Sequence, residues 1–245
     1  MDNGQNKNLV RLALADGHQQ KSACAFLKSC GIEVEGYDSS SVSRRPKSNL
    51  KGFEIKVIRP QDMPAQVANG HFDLAITGED WFLDHRYQFP STPVEKLLNL
   101  GFAGVRVCAA AHNDLGVKTV EEFTALFERG GLPFPFIRIA GEYVNIADHF
   151  AYTHRFRRYK VIPTTGSTEA YLPEDADMII ENSETGRTLI ENNLGIMEVL
   201  FKSSACLIAN TKSLRNLAKK NQIRELTEKF KAAVKKAEEN QEPAS

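Results

Sequence analysis

The chain has 245 residues, 42% hydrophobic and 25% charged, and its 31 basic side chains balance 31 acidic ones to a formal net charge of zero. That length suits one large domain or two small α/β lobes, and the ordinary composition excludes disordered and fibrous classes. The missing basic excess argues against broad nucleic-acid or membrane-surface binding, while a local basic pocket for a phosphorylated ligand stays open.

Taken in chain order, apolar runs of strand length alternate with helical patterns, which predicts an α/β fold of mostly parallel sheets covered by helices. Residues 1–8 are polar and no apolar run is long enough to span a bilayer, so neither signal peptide nor membrane span is expected and the location is cytoplasmic. Residues 9–15 read as the first strand. A helix over 19–30 puts Ala23, Phe26, Leu27 and Cys30 on one face, with Gly31 placed to end it. A second strand at 53–58, a short helix at 61–69 closed by Gly70, a third strand at 72–76 and a buried run at 105–111 follow.

A loop carrying Gly130, Gly131, Pro133 and Pro135 interrupts the rhythm. It resumes with a strand at 137–140, a helix near 146–152, strands at 160–163 and 178–180, and a helix opening near Thr188. Residues 197–201 and 205–209 read as two strands separated by Lys202, Ser203 and Ser204. From Ser213 onward Leu214, Leu217, Ile223, Leu226 and Phe230 fall on one helical face, and the charged end, 235–245, is expected to fray. No internal repeat stands out. Cys24, Cys30, Cys108 and Cys206 form no CxxC pair and read as reduced thiols. The histidines lack HxxxH or HExxH spacing, so no metal site built by the protein is expected.

The most informative stretch runs Asp177-Met178-Ile179-Ile180-Glu181-Asn182-Ser183-Glu184-Thr185-Gly186-Arg187-Thr188-Leu189. It is a buried strand ending in acids, then a turn with glycine, then a helix start. Backbone N–H groups and the Thr185 and Thr188 hydroxyls there suit a phosphate, and Gly186 permits close approach. Asp177 and Glu181 upstream suit ribose hydroxyls or a hydrated Mg²⁺. A 5-phosphoribosyl diphosphate presents that combination; a plain strand-turn-helix junction with a Thr cap fits the same residues.

Thr185-Gly186-Arg187-Thr188-Leu189 after Asp177 and Glu181 resembles the phosphoribosyl-diphosphate motif of the ATP phosphoribosyltransferase family. So does Arg59-Pro60-Gln61-Asp62-Met63-Pro64, then Asp73-Leu74-Ala75-Ile76-Thr77-Gly78-Glu79-Asp80, then Leu100-Gly101-Phe102 before Val105-Arg106-Val107. Gly166-Ser167-Thr168-Glu169 and Ser203-Ser204-Ala205-Cys206-Leu207-Ile208 complete a resemblance that spans 10–210 in the family's order. It implies two lobes like those of type II periplasmic binding proteins, with the ligand in the cleft. Residues 1–104 plus 195–245 would form the first lobe and 105–194 the second, carrying the phosphoribosyl loop. The implied reaction is transfer of the phosphoribosyl group to N1 of ATP, with Mg²⁺ bound through the substrate diphosphate. This is the first step of histidine biosynthesis.

By the same resemblance Asp177, Glu184, Thr185, Gly186, Arg187, Thr188 and Leu189 would bind phosphoribosyl diphosphate. Gly17, His18, Arg59, Thr77, Gly78, Gly166, Ser167 and Glu169 would face the nucleotide, with Arg44 and Glu181 nearest the chemistry. The length matches the short-form catalytic subunit, which implies a regulatory partner resembling histidyl-tRNA synthetase and a homodimer at least. The chain departs from the pattern at Glu181, where the family has Asp, at Ala170-Tyr171-Leu172 after the Gly-Ser-x-Glu block, and at two lysines. The family's Lys-Gly-Arg block reads Asp16-Gly17-His18, and its Ala-Thr-Lys-Tyr reads Ala140-Gly141-Glu142-Tyr143, each putting an acid where a lysine stands. Losing a cation beside a leaving diphosphate weakens charge stabilisation. Arg44 or Arg59 could compensate. A diverged regulatory protein that binds the same ligands without turnover, or a transferase with another acceptor, is the alternative.

Outside these blocks, the run His154-Arg155-Phe156-Arg157-Arg158-Tyr159-Lys160 mixes cations with aromatics. It suits either a nucleic-acid surface or a solvated helix end with its rings turned inward. Trp81 suits base stacking or packing, and His149 is not read as a ligand.

Overall fold

A computed structural model of the chain describes residues 8–38 and 43–239. Two compact units emerge: Met1–Phe82, Ser91–Ala103 and Ser204–Ser245 make one, Leu83–Pro90 and Gly104–Ser203 the other.

In the first unit β1 (Val10–Ala15) lies between β2 (Phe53–Ile58) and β3 (Leu74–Gly78), parallel to both. β10 (Ala205–Asn210) then pairs antiparallel with β3 and with β4 (Val94–Asn99), giving the order β2-β1-β3-β10-β4. The pleat sorts the side chains of β1. Val10, Leu12 and Leu14 face α1 (His18–Ser29) and α8 (Leu217–Glu239), meeting Ala23, Leu27, Ile223, Leu226 and Phe230. Ala13 and Ala15 face α2 (Met63–Ala68), with Met63 and Val67, and Phe82 of α3 (Glu79–Gln88). A sheet covered on both faces explains why its strands read as continuous apolar runs.

The second unit repeats this plan. β6 (Ile137–Gly141) lies between β7 (Tyr159–Pro163) and β8 (Met178–Ser183), parallel to both. β5 (Val105–His112) pairs antiparallel with β8 and with β9 (Leu194–Ser203), giving β7-β6-β8-β5-β9. Ala110, Ala140, Ile179 and Leu189 share one core cluster. Phe123 of α4 (Val120–Glu128), Phe150 of α5 (Val144–Thr153) and Phe156 form a chain of ring contacts. α6 (Arg187–Glu191) follows β8, and α7 (Thr211–Arg215) precedes α8 in the first unit.

One side-chain device appears in both units at the same register. Arg11 and Arg138 are the second residues of β1 and β6, while Asp73 and Asp177 immediately precede β3 and β8. In each unit the arginine N–H donates to the aspartate Oδ2 at 2.8 Å and the aspartate N–H donates back to the arginine carbonyl at 2.9 Å. Each guanidinium also donates to a carbonyl of the turn before the aspartate, Gly70 or Glu174, at 2.7 Å. The Asp177 carboxylate further takes Arg138 Nε at 3.2 Å and Nη2 at 2.9 Å in a buried pair. Asp73 instead takes Lys219 Nζ at 2.9 and 2.8 Å and Ser213 Oγ at 2.6 Å. Burial pushes the Asp73 carboxyl up, but the Arg11 N–H, Lys219 and Ser213 outweigh it and hold it below the usual carboxylate range.

Several expectations shift. The apolar runs do not distinguish parallel from antiparallel strands: in each five-stranded sheet four strands run one way and one, β10 or β5, runs against both of its neighbours. The return to the first unit falls after Ser203, not near 195, because β9 pairs with β5 from Leu194 to Ser203. α3, β4 and α4 were not read from the sequence, and the internal repeat was invisible because it lies in pairing rather than in residue identity. α8 continues to Glu239 through the stretch expected to fray, and 240–245 lie outside the described residues. Among the described residues no helix is long and apolar enough to cross a membrane.

Removing one partner of a buried ion pair leaves the other charge uncompensated, at about 3–5 kcal/mol. Asp177→Ala is therefore expected to destabilise the second unit by about that amount in urea unfolding, and a loss below about 1 kcal/mol would refute the role given to the pair.

Candidate active site

In open α/β sheets, ligands gather beyond the carboxyl ends of the parallel strands, where loops leave backbone groups unpaired. Most of the residues expected to bind ligand fall at or beyond those ends in both units, Asp177 excepted.

In the first unit, Asp16, Gly17 and His18 follow β1, Arg59 follows β2, and Thr77 and Gly78 end β3. Gly17 takes φ +70° as it turns the chain into α1, a region costly for a residue with Cβ. His18 is exposed at the first position of that helix. Arg44 Nη1 donates to Asp16 Oδ2 at 2.6 Å, and Arg59 Nε stands 3.8 Å from Asp16 Oδ1. The acid standing in the place of a lysine is thus paired with two arginines. Thr77 is fully buried and its hydroxyl donates to the Pro60 carbonyl at 2.9 Å, so it braces the Arg59-Pro60 turn rather than offering a hydroxyl to ligand. A Cβ on Gly78 would lie 2.0 Å from Asp80 Oδ1, which explains the glycine by crowding.

In the second unit, Glu142 follows β6, the Gly166–Glu169 turn follows β7, and Glu181 lies within β8. Glu142 accepts from the Gly166 N–H, so this second acid in a lysine's place pins the turn. Ser167 takes φ +51°, a left-handed conformation unusual for a residue with a side chain. Thr164 and Thr168 share a 2.8 Å hydroxyl contact beneath it. Glu181 is largely withdrawn from water. Burial pushes its carboxyl up to about 7, and Glu142 and Glu169 add to the rise, while Thr168 and the Asn182 N–H oppose it. A carboxyl poised near neutrality can donate or accept a hydrogen bond toward a sugar hydroxyl.

Beyond β8, Glu184, Thr185, Arg187 and Thr188 are exposed, while Leu189 anchors the segment in the core. Gly186 takes φ +83° and caps α6. The Thr185 Oγ1 accepts the Arg187 N–H at 3.3 Å, and Arg187 Nε donates to Glu191 at 2.7 Å. α6 has five residues, so a helix dipole contributes little; the loop offers local N–H groups, two hydroxyls and a glycine.

Two corrections follow. Asp177 was expected at the ribose, but it sits before the opposite end of β8 from the loop and its carboxylate is held by Arg138. Its spacing from Glu181 gave no hint of the arginine 39 residues away. Arg106 was not singled out, yet its Nη2 lies 3.7 Å from where a Cβ on Gly186 would stand. Only the antiparallel pairing of Arg106 with Ser183 brings this cation to the loop.

A carboxyl whose folded pKa is raised stabilises the fold below the ordinary carboxylate pKa, and that stability is lost as pH rises through the folded value. Between about pH 4.5 and about 7 the folded state binds more protons at Glu181, so stability falls across that window. Glu181→Gln is expected to flatten the fall, making the variant more stable than the parent at pH 8 by roughly 1–3 kcal/mol and little changed at pH 4.5. Equal urea midpoint differences at both pH values would contradict the raised pKa.

The family model described as ATP phosphoribosyltransferase matches residues 59–232. The chain is 30% identical to an ATP phosphoribosyltransferase of Dictyoglomus thermophilum over 206 residues, covering 84% of this chain and 89% of that one. It is 31% identical to one of Methylibium petroleiphilum over 227 residues, 92% and 98% of the two chains. In fold it is similar to a chain of the ATP phosphoribosyl transferase (HisG:HisZ) complex from Thermotoga maritima, with TM-score 0.71, 23% identity and coverage of 93% and 99%. It is also similar to the periplasmic aliphatic sulphonate binding protein SsuA from Escherichia coli, with TM-score 0.55, 12% identity and coverage of 96% and 75%. With its family model covering residues 59–232 and relatives 30% and 31% identical over most of its length, this chain belongs to the ATP phosphoribosyltransferase family.

Proposed function

We propose that the chain transfers the phosphoribosyl group of phosphoribosyl diphosphate to N1 of the ATP adenine and releases diphosphate, the first step of histidine biosynthesis. The observation that carries the reading is the family membership joined to an exposed Thr-Gly-x-Thr loop at the carboxyl end of β8.

The loop residues Thr185, Gly186, Arg187, Thr188 and Leu189 hold the 5-phosphate through local N–H groups and the two hydroxyls, with Arg106 adding charge. Glu181 serves the ribose hydroxyls. Arg44 and Arg59 serve the diphosphate, and Gly17, His18, Gly166, Ser167 and Glu169 the nucleotide. The ring nitrogen already carries a lone pair, so the C1–N1 bond can form as the C1–O bond to diphosphate breaks without a base removing a proton first. Catalysis then rests on positioning and on neutralising the departing charge.

Mg²⁺ supplies part of that neutralisation when it arrives with the diphosphate. Glu142 and Glu169 act on the Glu181 carboxyl, but no group of three His, Cys, Asp or Glu among the described residues could hold a metal ion, so the ion would be held through the substrate diphosphate. The Thermotoga protein assembles with HisZ, and a partner of that kind is the proposed regulatory subunit here, with the chain itself at least a homodimer in the cytoplasm.

A phosphate contact by a hydroxyl is worth roughly 1.5–3 kcal/mol in the bound state. Thr188→Ala is expected to lower kcat/KM for phosphoribosyl diphosphate roughly 10- to 100-fold, measured as ATP-dependent diphosphate release with Mg²⁺ present. Release at the parental rate would remove Thr188 from the phosphate site. Binding of phosphoribosyl diphosphate without any release, even with the regulatory partner added, would sink the transfer itself.

A further inference from the structure

Arg44, in the loop before β2, and Arg59, just after β2, converge on one carboxylate at the end of β1. Exposure orders the three side chains: Asp16 is 13% exposed, against 65% for Arg44 and 67% for Arg59. The acid is the inner member and the two guanidiniums stand outside it.

Asp16 is fixed from behind, since its own N–H donates to the Ile58 carbonyl at 3.1 Å. The Val57 N–H donates to the Arg44 carbonyl at 3.1 Å, and Arg44 Nη1 lies 3.5 Å from the Val57 carbonyl, so the Arg44 loop is stitched to the same strand. Asp16 Oδ1 is buried and accepts no hydrogen bond among the described residues; its near partner is the Arg59 charge at 3.8 Å. Each guanidinium has five N–H donors; Arg44 gives Asp16 one hydrogen bond and Arg59 stands at ion-pair distance, which leaves most of both planar forks exposed.

We infer that Asp16 is a positioning residue: it holds Arg44 and Arg59 as a paired fork for a di- or triphosphate. The assignment of that ligand class rests on the transferase reading above. An exposed arginine loses side-chain freedom when it grips a phosphate, and one already held by a buried acid loses less. The sign of the effect separates this role from simple charge. By charge alone, deleting an anion beside two cations strengthens anion binding. By position, the same deletion releases the arginines and weakens it.

The test is calorimetric titration of the full chain with inorganic diphosphate at fixed low ionic strength, using the parent, Asp16→Ala and the near-isosteric Asp16→Asn. The parent is expected to bind, and both variants to bind about five- to tenfold more weakly with partial recovery in Asp16→Glu. Unchanged or tighter binding in Asp16→Asn overturns the inference whether or not the alanine variant folds, and so does a parent that binds no diphosphate. Turnover of phosphoribosyl diphosphate and ATP by the parent, with the regulatory partner added, is followed alongside. Turnover with no effect of Asp16 on diphosphate binding removes the positioning role alone. Asp16-dependent binding without turnover removes the transferase reading alone.

Discussion

Each unit hangs on a buried aspartate that brackets the arginine of a neighbouring strand. In the bracket between Arg11 and Asp73, and again between Arg138 and Asp177, the arginine N–H donates to the carboxylate, the aspartate N–H donates to the arginine carbonyl, and the guanidinium links to the preceding turn. Register follows from it, because the next residues pair as Leu12 with Leu74 and as Ile139 with Met178. A slip of one residue would strand a charged group among Val, Ile and Leu side chains and reverse the face of every apolar residue beyond it. The amino ends of the central strands are thereby closed by polar contacts. The carboxyl ends, where the chain must turn into helices and loops, are left for ligand.

That division of labour explains why so many candidate residues collect at strand ends without a His–Asp or Cys–His pair among them. Glycosyl transfer to a ring nitrogen asks for grips on phosphates and sugar hydroxyls more than for a nucleophile on the protein. The first unit offers Arg44, Arg59 and the turn at Gly17; the second offers the Gly186 loop, Arg106 and a Glu181 carboxyl poised near neutrality. Both acids that replace lysines of the family pattern are structurally employed. Asp16 pairs with two arginines, and Glu142 accepts a backbone N–H of the Gly166 turn.

The legibility of the sequence varied with the range of the interactions involved. β2 was read at its observed bounds because Phe53–Ile58 is flanked by Gly52 and Pro60, which punctuate it locally. α3 was missed because Glu79-Asp80-Trp81-Phe82 begins it directly after Gly78, and its residues give almost no one-sided apolar stripe. β4 was missed because Val94–Asn99 is a mostly exposed strand with only Val94 buried. Thr185, Gly186 and Thr188 were legible as a loop since their conformation is set within a few residues. Asp177 was misassigned because its partner lies on another strand.

The sequence alone carries the alternation of strands and helices, the family and the Thr-Gly-x-Thr motif, since these depend on short-range propensities and on motif spacing that a linear reading preserves. It also determined that acids stand at Asp16 and Glu142. The fold alone shows what those acids do, that Asp177 is held by Arg138 while Glu181 meets Thr168 and the Asn182 N–H, and that Arg106 stands beside Gly186. The reason is physical. A side chain's charge state and availability depend on burial and on partners that strand pairing brings from 39 residues away at Asp177 or 28 at Asp16, and sequence order does not encode that proximity.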